Sequence, residues 1–375
     1  MPDVVVVGAG PAGIAAANAV RECGKTVAVL DDNPAAGGQI WRGDRIELEE
    51  LRASTRVLGP WQLGCEKVIL ATGARELFLP FPGWTLPNVM GAGGLQALAK
   101  GGLPLKNKRV IVAGSGPLLL VVAAYLKEHG AQVLFVAEQA SARQMVVLGK
   151  HPSKLRQGLR LRSQLAGIPY RTECWPVSAE GTTQLLSVTM QHADETWTER
   201  CDYLACSFGL VPNLELPALF GCEIREGVVT VDEQQRTSVP NVFAAGEITG
   251  VGGVEKASEE GRVAGLVAAG RIARCSRSSF PATLRRAFAL RAELRQLAER
   301  DTILCRCEDV PVGVVRSFDS WRAAKLQTRC GMGPCQGRIC GPAVEFLCGW
   351  NAESVRPPLY PASLEELLSE KLLDE

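Results

Sequence analysis

The chain has 375 residues, of which 46% are hydrophobic and 22% charged, and its 41 basic and 40 acidic residues nearly cancel. A chain of this length exceeds one ordinary core, so we expect two or three domains. The balanced charge gives no overall attraction to nucleic acid or to an anionic membrane. No apolar run reaches the about 18 residues of a membrane-spanning helix, and the N-terminus lacks the basic region of a signal peptide. These features predict a cytoplasmic protein.

The first thirty residues predict a strand, a glycine turn, a helix and a second strand. VVVV at 4–7 is typical of a strand buried on both faces of a parallel sheet. In the GAGPAG turn that follows, Gly8 permits the tight bend, Gly10 admits a pyrophosphate, and Gly13 lets the helix pack on the strand. Pro11 and Ala12 begin the helix, whose free N–H groups face the phosphates.

Two acidic residues complete this first module. Asp31 lies 18 positions after Gly13, at the end of the second predicted strand, and Asp32 follows it. An acid at this position binds a ribose hydroxyl in dinucleotide-binding folds. The strand, turn, helix and acid together predict a nucleotide site rather than a plain turn.

A second module of the same kind is predicted at 109–138. Gly114 and Gly116 repeat the glycine turn, and Glu138 ends the second strand. Leu119, however, occupies the position of the third glycine. Two interpretations remain open: the module binds a second nucleotide, NAD(P)H or ATP, or it keeps the fold without a ligand.

Two further strands end in glycine turns, ATG at 71–73 and AGE at 245–247. In flavoproteins with two dinucleotide-binding domains, such turns close over the flavin nucleotide. Thr72, Gly73, Gly246 and Glu247 are therefore candidate cofactor-binding residues. Together with the first turn they favour FAD over NAD in the first module.

Six of the 13 cysteines lie between residues 305 and 348, and their clustering predicts a metal centre. Iron–sulfur clusters commonly take four thiolates, and we expect them from Cys305, Cys307, Cys335 and Cys340, with Cys330 as the competitor. A structural zinc is a weaker alternative because zinc prefers C-x₂₋₄-C pairs. Unligated thiols or a redox disulfide form the third alternative.

The motifs resemble the FAD-dependent subunits of opine oxidase, D-hydroxyproline dehydrogenase and hydrogen cyanide synthase. The resemblance covers nearly the whole chain. Besides the glycine turns, it is carried by the following segments: GGQIWR at 37–42, ILATGARELFLPFPGWTLPNVMGAGGLQALAK at 69–100, and the CRCE and TRCGMGPCQGRIC stretches that contain the clustered cysteines.

The resemblance implies FAD in the first module, with Gly38 and Gln39 among its contacts, and a C-terminal [2Fe–2S] domain similar to the bacterioferritin-associated ferredoxin. It also implies a partner flavoprotein subunit, similar to glycine or sarcosine oxidase, that oxidises the C–N bond of an amino acid or opine. One departure is the short segment between Gln39 and Ala71, where relatives carry a longer insertion.

The expected fold class is α/β, with two Rossmann-like domains followed by a small α-rich domain. The predicted domains are: an FAD-binding domain at 1–105 and 225–275, a second nucleotide-binding domain at 106–224, a linker helix at 276–300, and the iron–sulfur domain with a C-terminal helix at 301–375.

The sequence thus predicts an FAD-dependent oxidoreductase that acts as the electron-transfer subunit of a hetero-oligomer. No candidate general base lies in the motifs, which places the substrate chemistry in the partner. Two rivals remain: a stand-alone NAD(P)H-dependent flavin reductase, and a non-catalytic scaffold subunit.

Overall fold

The computed structural model describes residues 1–276, 278–351 and 355–368. Its described residues form two compact units: unit 1 takes in 1–75, 211–281 and 355–368, and unit 2 takes in 76–210 and 282–351. Within this described part, no helix is both long and apolar enough to cross a membrane.

The secondary structure alternates between short strands and helices. The strands are β1 Val4–Val7, β2 Val27–Leu30, β3 Leu51–Arg52, β4 Lys67–Leu70, β5 Ala74–Glu76, β6 Val89–Gly91, β7 Arg109–Gly114, β8 Gln132–Glu138, β9 Tyr170–Arg171, β10 Cys174–Gly181, β11 Leu185–His192, β12 Glu195–Arg200, β13 Tyr203–Ser207, β14 Leu210–Pro212, β15 Ile224–Arg225, β16 Val228–Val229, β17 Val242–Ala244, β18 Ile303–Cys305 and β19 Val310–Pro311. The α-helices are α1 Pro11–Glu22, α2 Ala92–Lys100, α3 Leu118–Glu128, α4 Ala142–Met145, α5 Pro152–Gln164, α6 Glu215–Leu219, α7 Val254–Ala268, α8 Phe280–Ala287, α9 Val312–Val315, α10 Trp321–Thr328, α11 Cys340–Cys348 and α12 Leu364–Leu368.

Unit 1 is built on a parallel sheet with the strand order β17-β4-β1-β2-β3. The four residues of β1 are all buried, as the run of valines predicts. The backbones of helices α1 and α7 pack closely against each other because the residues at their interface are small. A Cβ on Gly261 would come within 2.0 Å of the Ala12 carbonyl oxygen, and one on Gly265 within 2.3 Å of that of Ala16. The small residues of both helices therefore bring α7 close to the start of α1.

Unit 2 contains the second parallel sheet, in the order β6-β13-β7-β8-β9, and an antiparallel meander, β10-β11-β12. Helix α3 packs on the sheet through a wholly apolar face that includes Leu119, Val122 and Leu126. The predicted α/β class with two Rossmann-like modules is confirmed.

The segment predicted as one linker helix, 276–300, contains two short helices instead, α8 and a 3₁₀ helix at Ala292–Gln296. Beyond it, β18, β19 and α9–α11 pack around a core that includes Trp321 and Val344. The indole N–H of Trp84 donates to the Ile303 carbonyl oxygen at 2.6 Å and ties this α-rich region to the rest of unit 2. The predicted C-terminal helix is observed as α12, and residues 369–375, which the prediction also included, lie outside the described residues.

Candidate functional site: a nucleotide edge and a thiol group

Four loops of unit 1 lie at one edge of its sheet. Because β1, β2, β4 and β17 run parallel, the residues that follow them share the carboxyl-terminal edge, where α/β sheets bind ligands. These residues are the sequence-predicted ones: Gly8, Gly10, Asp31, Thr72, Gly73, Gly246 and Glu247. The parallel topology thus gathers the predicted cofactor residues of the first module in one place.

The three glycines of the first turn have different surroundings. Gly8 has φ +107°, and a Cβ there would lie 2.2 Å from the Ala71 carbonyl oxygen. A Cβ on Gly13 would lie 1.8 Å from the Gly8 carbonyl oxygen, so only glycine lets α1 approach the turn this closely. A Cβ on Gly10 would meet nothing within 4 Å. The open space in front of Gly10, at the N-terminus of α1, fits a pyrophosphate group.

The acid at the end of β2 also shapes the loop. The Asp31 carboxylate, which is 8% exposed, accepts the Ala9 N–H at 2.5 Å through one oxygen and the Asn33 N–H at 2.7 Å through the other. Asp32 is exposed and accepts a bond from the Asn33 amide at 3.2 Å. Asp31 therefore holds the glycine turn in shape, in addition to its predicted role toward a ribose.

The GGQ turn lies directly against the first glycine turn. The Gly37 N–H donates to the Ala9 carbonyl oxygen at 2.8 Å, and a Cβ on Gly38 would be 3.2 Å from the Gly10 Cα. Gln39, next along the chain, is exposed. Gly38 is therefore adjacent to the predicted pyrophosphate position.

The Thr72–Gly73 turn is held by Asn213, a residue that the sequence did not single out. The Asn213 amide donates to the Thr72 carbonyl oxygen at 2.7 Å, and the Thr72 hydroxyl donates to the Asn213 carbonyl oxygen at 2.9 Å. The Asn213 N–H donates to the Gly73 carbonyl oxygen at 3.0 Å. Arg75 donates to the side-chain oxygen of the same asparagine at 2.7 Å. Asn213 therefore closes the turn by three direct bonds.

The last turn of unit 1 is held by an ion pair on α7. Glu260, 7% exposed, accepts from the Gly246 N–H at 3.0 Å and from Lys256 at 2.7 Å. Lys256 also donates to the Gly246 carbonyl oxygen at 3.1 Å. Burial raises the pKa of the Glu247 carboxyl, against the opposing effect of Lys256. A positive group thus lies beside the turn that was predicted to face the flavin.

The turn of the second module has the predicted shape but is more deeply covered. Gly114 and Gly116 both have positive φ, +130° and +102°, and both are buried. Glu138 is fully buried, and this burial raises its pKa to about 7 although N–H bonds from Ala140 and Gly116 oppose the shift. Leu119 is accommodated as a fully buried core residue, so α3 must lie farther from its turn than α1 does.

The clustered thiols lie together in unit 2. The sulfurs of Cys305, Cys330 and Cys340 lie within 4.8 Å of one another, and all three residues are buried. The exposed Cys307 is within hydrogen-bonding reach of the Cys335 backbone and thiol. The four predicted ligands and their competitor therefore fall into two adjacent subsets, and Cys330 belongs to the buried one.

The buried sulfurs interact strongly. Bonds from the Cys330 and Cys340 thiols, together with backbone N–H groups of Gly331 and Glu308, lower the pKa of Cys305. The same contact to Cys305 raises the pKa of Cys330 to about 12. Sulfurs that accept N–H bonds and are supplied by two separate loops match the requirements of an iron–sulfur centre. A zinc ion would also accept such thiolates.

The comparisons with known proteins agree with this geometry. The model of the pyridine nucleotide-disulphide oxidoreductases matches residues 40–261, and that of the FAD-dependent oxidoreductases matches residues 3–58. The chain belongs to the pyridine nucleotide-disulphide oxidoreductase family.

Within this family, the FAD-dependent oxidoreductase is similar over almost its whole length to two curated subunits. It is 30% identical to an opine oxidase subunit of Rhizobium meliloti (strain 1021), over 97% of this chain and 98% of the relative. It is 30% identical to the hydrogen cyanide synthase subunit HcnB of Pseudomonas aeruginosa, over 90% of each. The resemblance read from the motifs is thereby confirmed. The first alignment spans 448 positions, more than this chain's length, so the relative has residues without a counterpart here.

Solved structures show the same fold at lower identity. L-proline dehydrogenase from P. horikoshii superposes with a TM-score of 0.65 at 19% identity and covers 98% of this chain and 79% of that one. Thioredoxin reductase from T. acidophilum, at TM-score 0.56 and 21% identity, covers 72% of this chain and 98% of that one. The fold of this FAD-dependent oxidoreductase is therefore shared with enzymes of different activities.

Proposed function

We propose that this chain is the flavin and iron–sulfur electron-transfer subunit of a hetero-oligomeric dehydrogenase that oxidises a carbon–nitrogen bond. The single observation that carries the proposal is the group of five thiols in a chain whose other unit is a flavin-type nucleotide fold. The names of both curated relatives describe them as subunits. The proposed partner is a second flavoprotein similar to glycine or sarcosine oxidase, which would bind the amino substrate.

The cofactor residues of unit 1 are assigned by their position at the sheet edge. Gly10 and the N-terminus of α1 would hold the FAD pyrophosphate, Asp31 its ribose, and the Thr72–Gly73 and Gly246 turns its flavin end. Lys256 and Glu260 keep the Gly246 turn in place. FAD and a [2Fe–2S] centre together would allow a two-electron donor to be coupled to one-electron transfer.

The thiol region would hold the iron. Cys305 and Cys307 would bind the centre from one loop, and Cys330, Cys335 and Cys340 offer three candidates for the two remaining positions. A Cβ on Gly333 would lie 2.4 Å from the Cys307 Cβ, so the opposite loop can approach only because it is glycine there. Burial of Cys305 and exposure of Cys307 leave one edge of the group open to solvent.

The first experiment is cofactor analysis of the anaerobically purified full chain. We expect flavin absorbance, iron with labile sulfide, and a paramagnetic signal after reduction with dithionite. Zinc in place of iron would exclude the electron-transfer role and favour a scaffold. Rapid bleaching of the flavin by NADH without a partner would favour a stand-alone reductase.

Single cysteine-to-serine substitutions then identify the ligands. Cys305→Ser and Cys307→Ser should lose the iron. Among Cys330, Cys335 and Cys340, two substitutions should lose it and one should retain it. Cys23→Ser, in unit 1, is the matched control and should keep both iron and flavin. Retention of iron in all five variants of the thiol group would contradict the proposed centre.

A further inference from the structure

The turn of the second module is covered by protein from a distant part of the chain. Three residues of the second module lie where its predicted nucleotide would bind, in the glycine turn and at the end of β8. They are Ser115, Glu138 and Gln139, and each is at most 2% exposed. Ala9 and Asp31 of the first module are buried as well, and the two modules differ at their glycines: Gly114 and Gly116 are buried, whereas Gly8 and Gly10 are half-buried. The second turn is therefore covered by another part of the chain, although a Cβ on Gly116 would itself meet nothing within 4 Å.

The covering segment is Phe288–Arg291, which follows α8 and which we call the strap. The Ser115 hydroxyl lies 3.4 Å from the Phe288 carbonyl oxygen and shares its single hydrogen between that oxygen and the nearer Glu138 carboxyl, at 3.0 Å. The Gln139 amide donates to the Ala289 carbonyl oxygen at 3.3 Å and accepts the Arg291 N–H at 3.1 Å. The strap thus contacts polar atoms of the glycine turn and of the residue that follows β8.

Arg291 fastens the strap to the neighbouring meander. Its guanidinium lies 4.4 Å from the centre of the Trp175 ring and donates to the Gln139 carbonyl oxygen at 3.3 Å. It also forms ion pairs with Glu293 at 3.4 Å and with Glu173 at 3.9 Å. A cation stacked on an aromatic ring and paired with carboxylates is a strong anchor.

The acid that would bind the ribose is already engaged. Glu138 accepts from the Gly116 N–H at 2.7 Å, the Ala140 N–H at 2.8 Å and the Ser115 hydroxyl at 3.0 Å. A ribose hydroxyl would have to displace the Ser115 hydroxyl, which also contacts the strap. The glycine turn and the acid are nevertheless both present, so the second module retains the backbone and side-chain elements of a nucleotide-binding site.

We infer that the strap Phe288–Arg291 closes an adenine-nucleotide binding site in the second module. Neither NAD(P)H nor ATP binds there until the strap moves away. This inference rests on the proposed function and deepens it. If the nucleotide-binding site of the second module is closed, the partner subunit rather than a nicotinamide is the electron donor. The inference does not depend on the thiol group, so the two can fail separately.

The test uses ADP, which contains the adenosine and pyrophosphate common to NAD(P)H and ATP, and the flavin-loaded full chain. Calorimetry should detect no binding to the wild type. Arg291→Ala, which removes the anchoring guanidinium, should bind ADP measurably, with an affinity at least about tenfold above the detection limit set by the wild type, equivalent to about 1.4 kcal/mol. Arg295→Ala is the matched control, because Arg295 stacks on Phe346 rather than over the turn, and it should behave as the wild type.

Hydrogen exchange of the wild type supplies a test without substitution. The peptide that contains 288–291 should be protected, and ADP should not change its exchange rate. Tight binding of ADP by the wild type, with changed exchange at 114–116, would overturn the inference. So would fast exchange of the strap, or equal lack of binding in the wild type and in a folded Arg291→Ala variant, since the strap would not then be the barrier.

Discussion

The two nucleotide modules share a strand, a G-x-G turn, a helix and an acid, yet they differ in how far the glycines of the turn are buried. In the first module, the space before Gly10 is open and α1 begins in contact with the turn. In the second, a Cβ on Gly116 would also meet nothing within 4 Å, but Gly116 is buried, Leu119 is a core residue at the position of Gly13, and Glu138 is fully buried. The difference teaches that a glycine motif specifies the shape of the backbone, whereas access to it is decided by residues far away in the chain.

The largest expected effect comes from the residue that replaces the third glycine in the second module. Leu119 is fully buried among apolar neighbours. Leu119→Ala should lower the free energy of unfolding by about 2–5 kcal/mol, because it leaves a cavity in the core. Urea unfolding measures this loss. A change near zero would mean that α3 collapses onto its turn as α1 does, and would remove the contrast between the modules.

The buried acid of the second module should make stability depend on pH. The pKa of Glu138 is raised from 4.5 to about 7, so its stabilising contribution is complete below pH 4.5 and is lost as the pH rises through 7. Unfolding free energy should fall by on the order of 3 kcal/mol across this window. Glu138→Gln should lack this part of the slope. Parallel pH profiles for the two proteins would contradict the assignment.

The first module should reject any side chain at its third glycine. Gly13→Ala would place a Cβ against the Gly8 carbonyl oxygen and should cost about 1–3 kcal/mol of stability, as other overpacking substitutions do. The bound flavin, measured by its absorbance relative to protein, should fall with it. Unchanged stability would show that α1 can shift away from the turn without cost.

The smallest effect on stability, and the clearest effect on binding, is expected at Gly10. Its φ of −78° suits alanine, and a Cβ would meet no protein atom. Gly10→Ala should change the free energy of unfolding by less than about 0.5 kcal/mol. It should nevertheless reduce flavin affinity about tenfold or more, because the methyl group would occupy the pyrophosphate space. Full flavin retention would place the cofactor elsewhere.

Much of this architecture could be predicted from the sequence, because its signals are local. The valine run of β1, the turn at Gly8–Gly13 and the acid at Asp31 lie within thirty residues and follow rules of backbone geometry. The clustered cysteines could be recognised from their spacing alone, although spacing did not reveal that Cys330 lies in the buried subset.

The remaining features depend on contacts between distant segments. Asn213 closes the Thr72–Gly73 turn from 141 residues away, and the strap reaches Ser115 from 173 residues away. An asparagine or a short Phe-Ala-Leu-Arg segment has no periodicity or motif that marks such a role. Only the tertiary structure identifies the residues that hold one turn in shape and cover the other.

The sheet of unit 1 is assembled from two segments that lie far apart in the sequence, and this bears on synthesis. Strand β17 pairs with β4, and α7 covers α1 through Gly261 and Gly265, yet both later elements lie beyond residue 241. The strands of the second parallel sheet are complete by residue 207. In a nascent chain the second parallel sheet can therefore form first, because unit 1 has both β17 and α7 only after residue 268 has been synthesised.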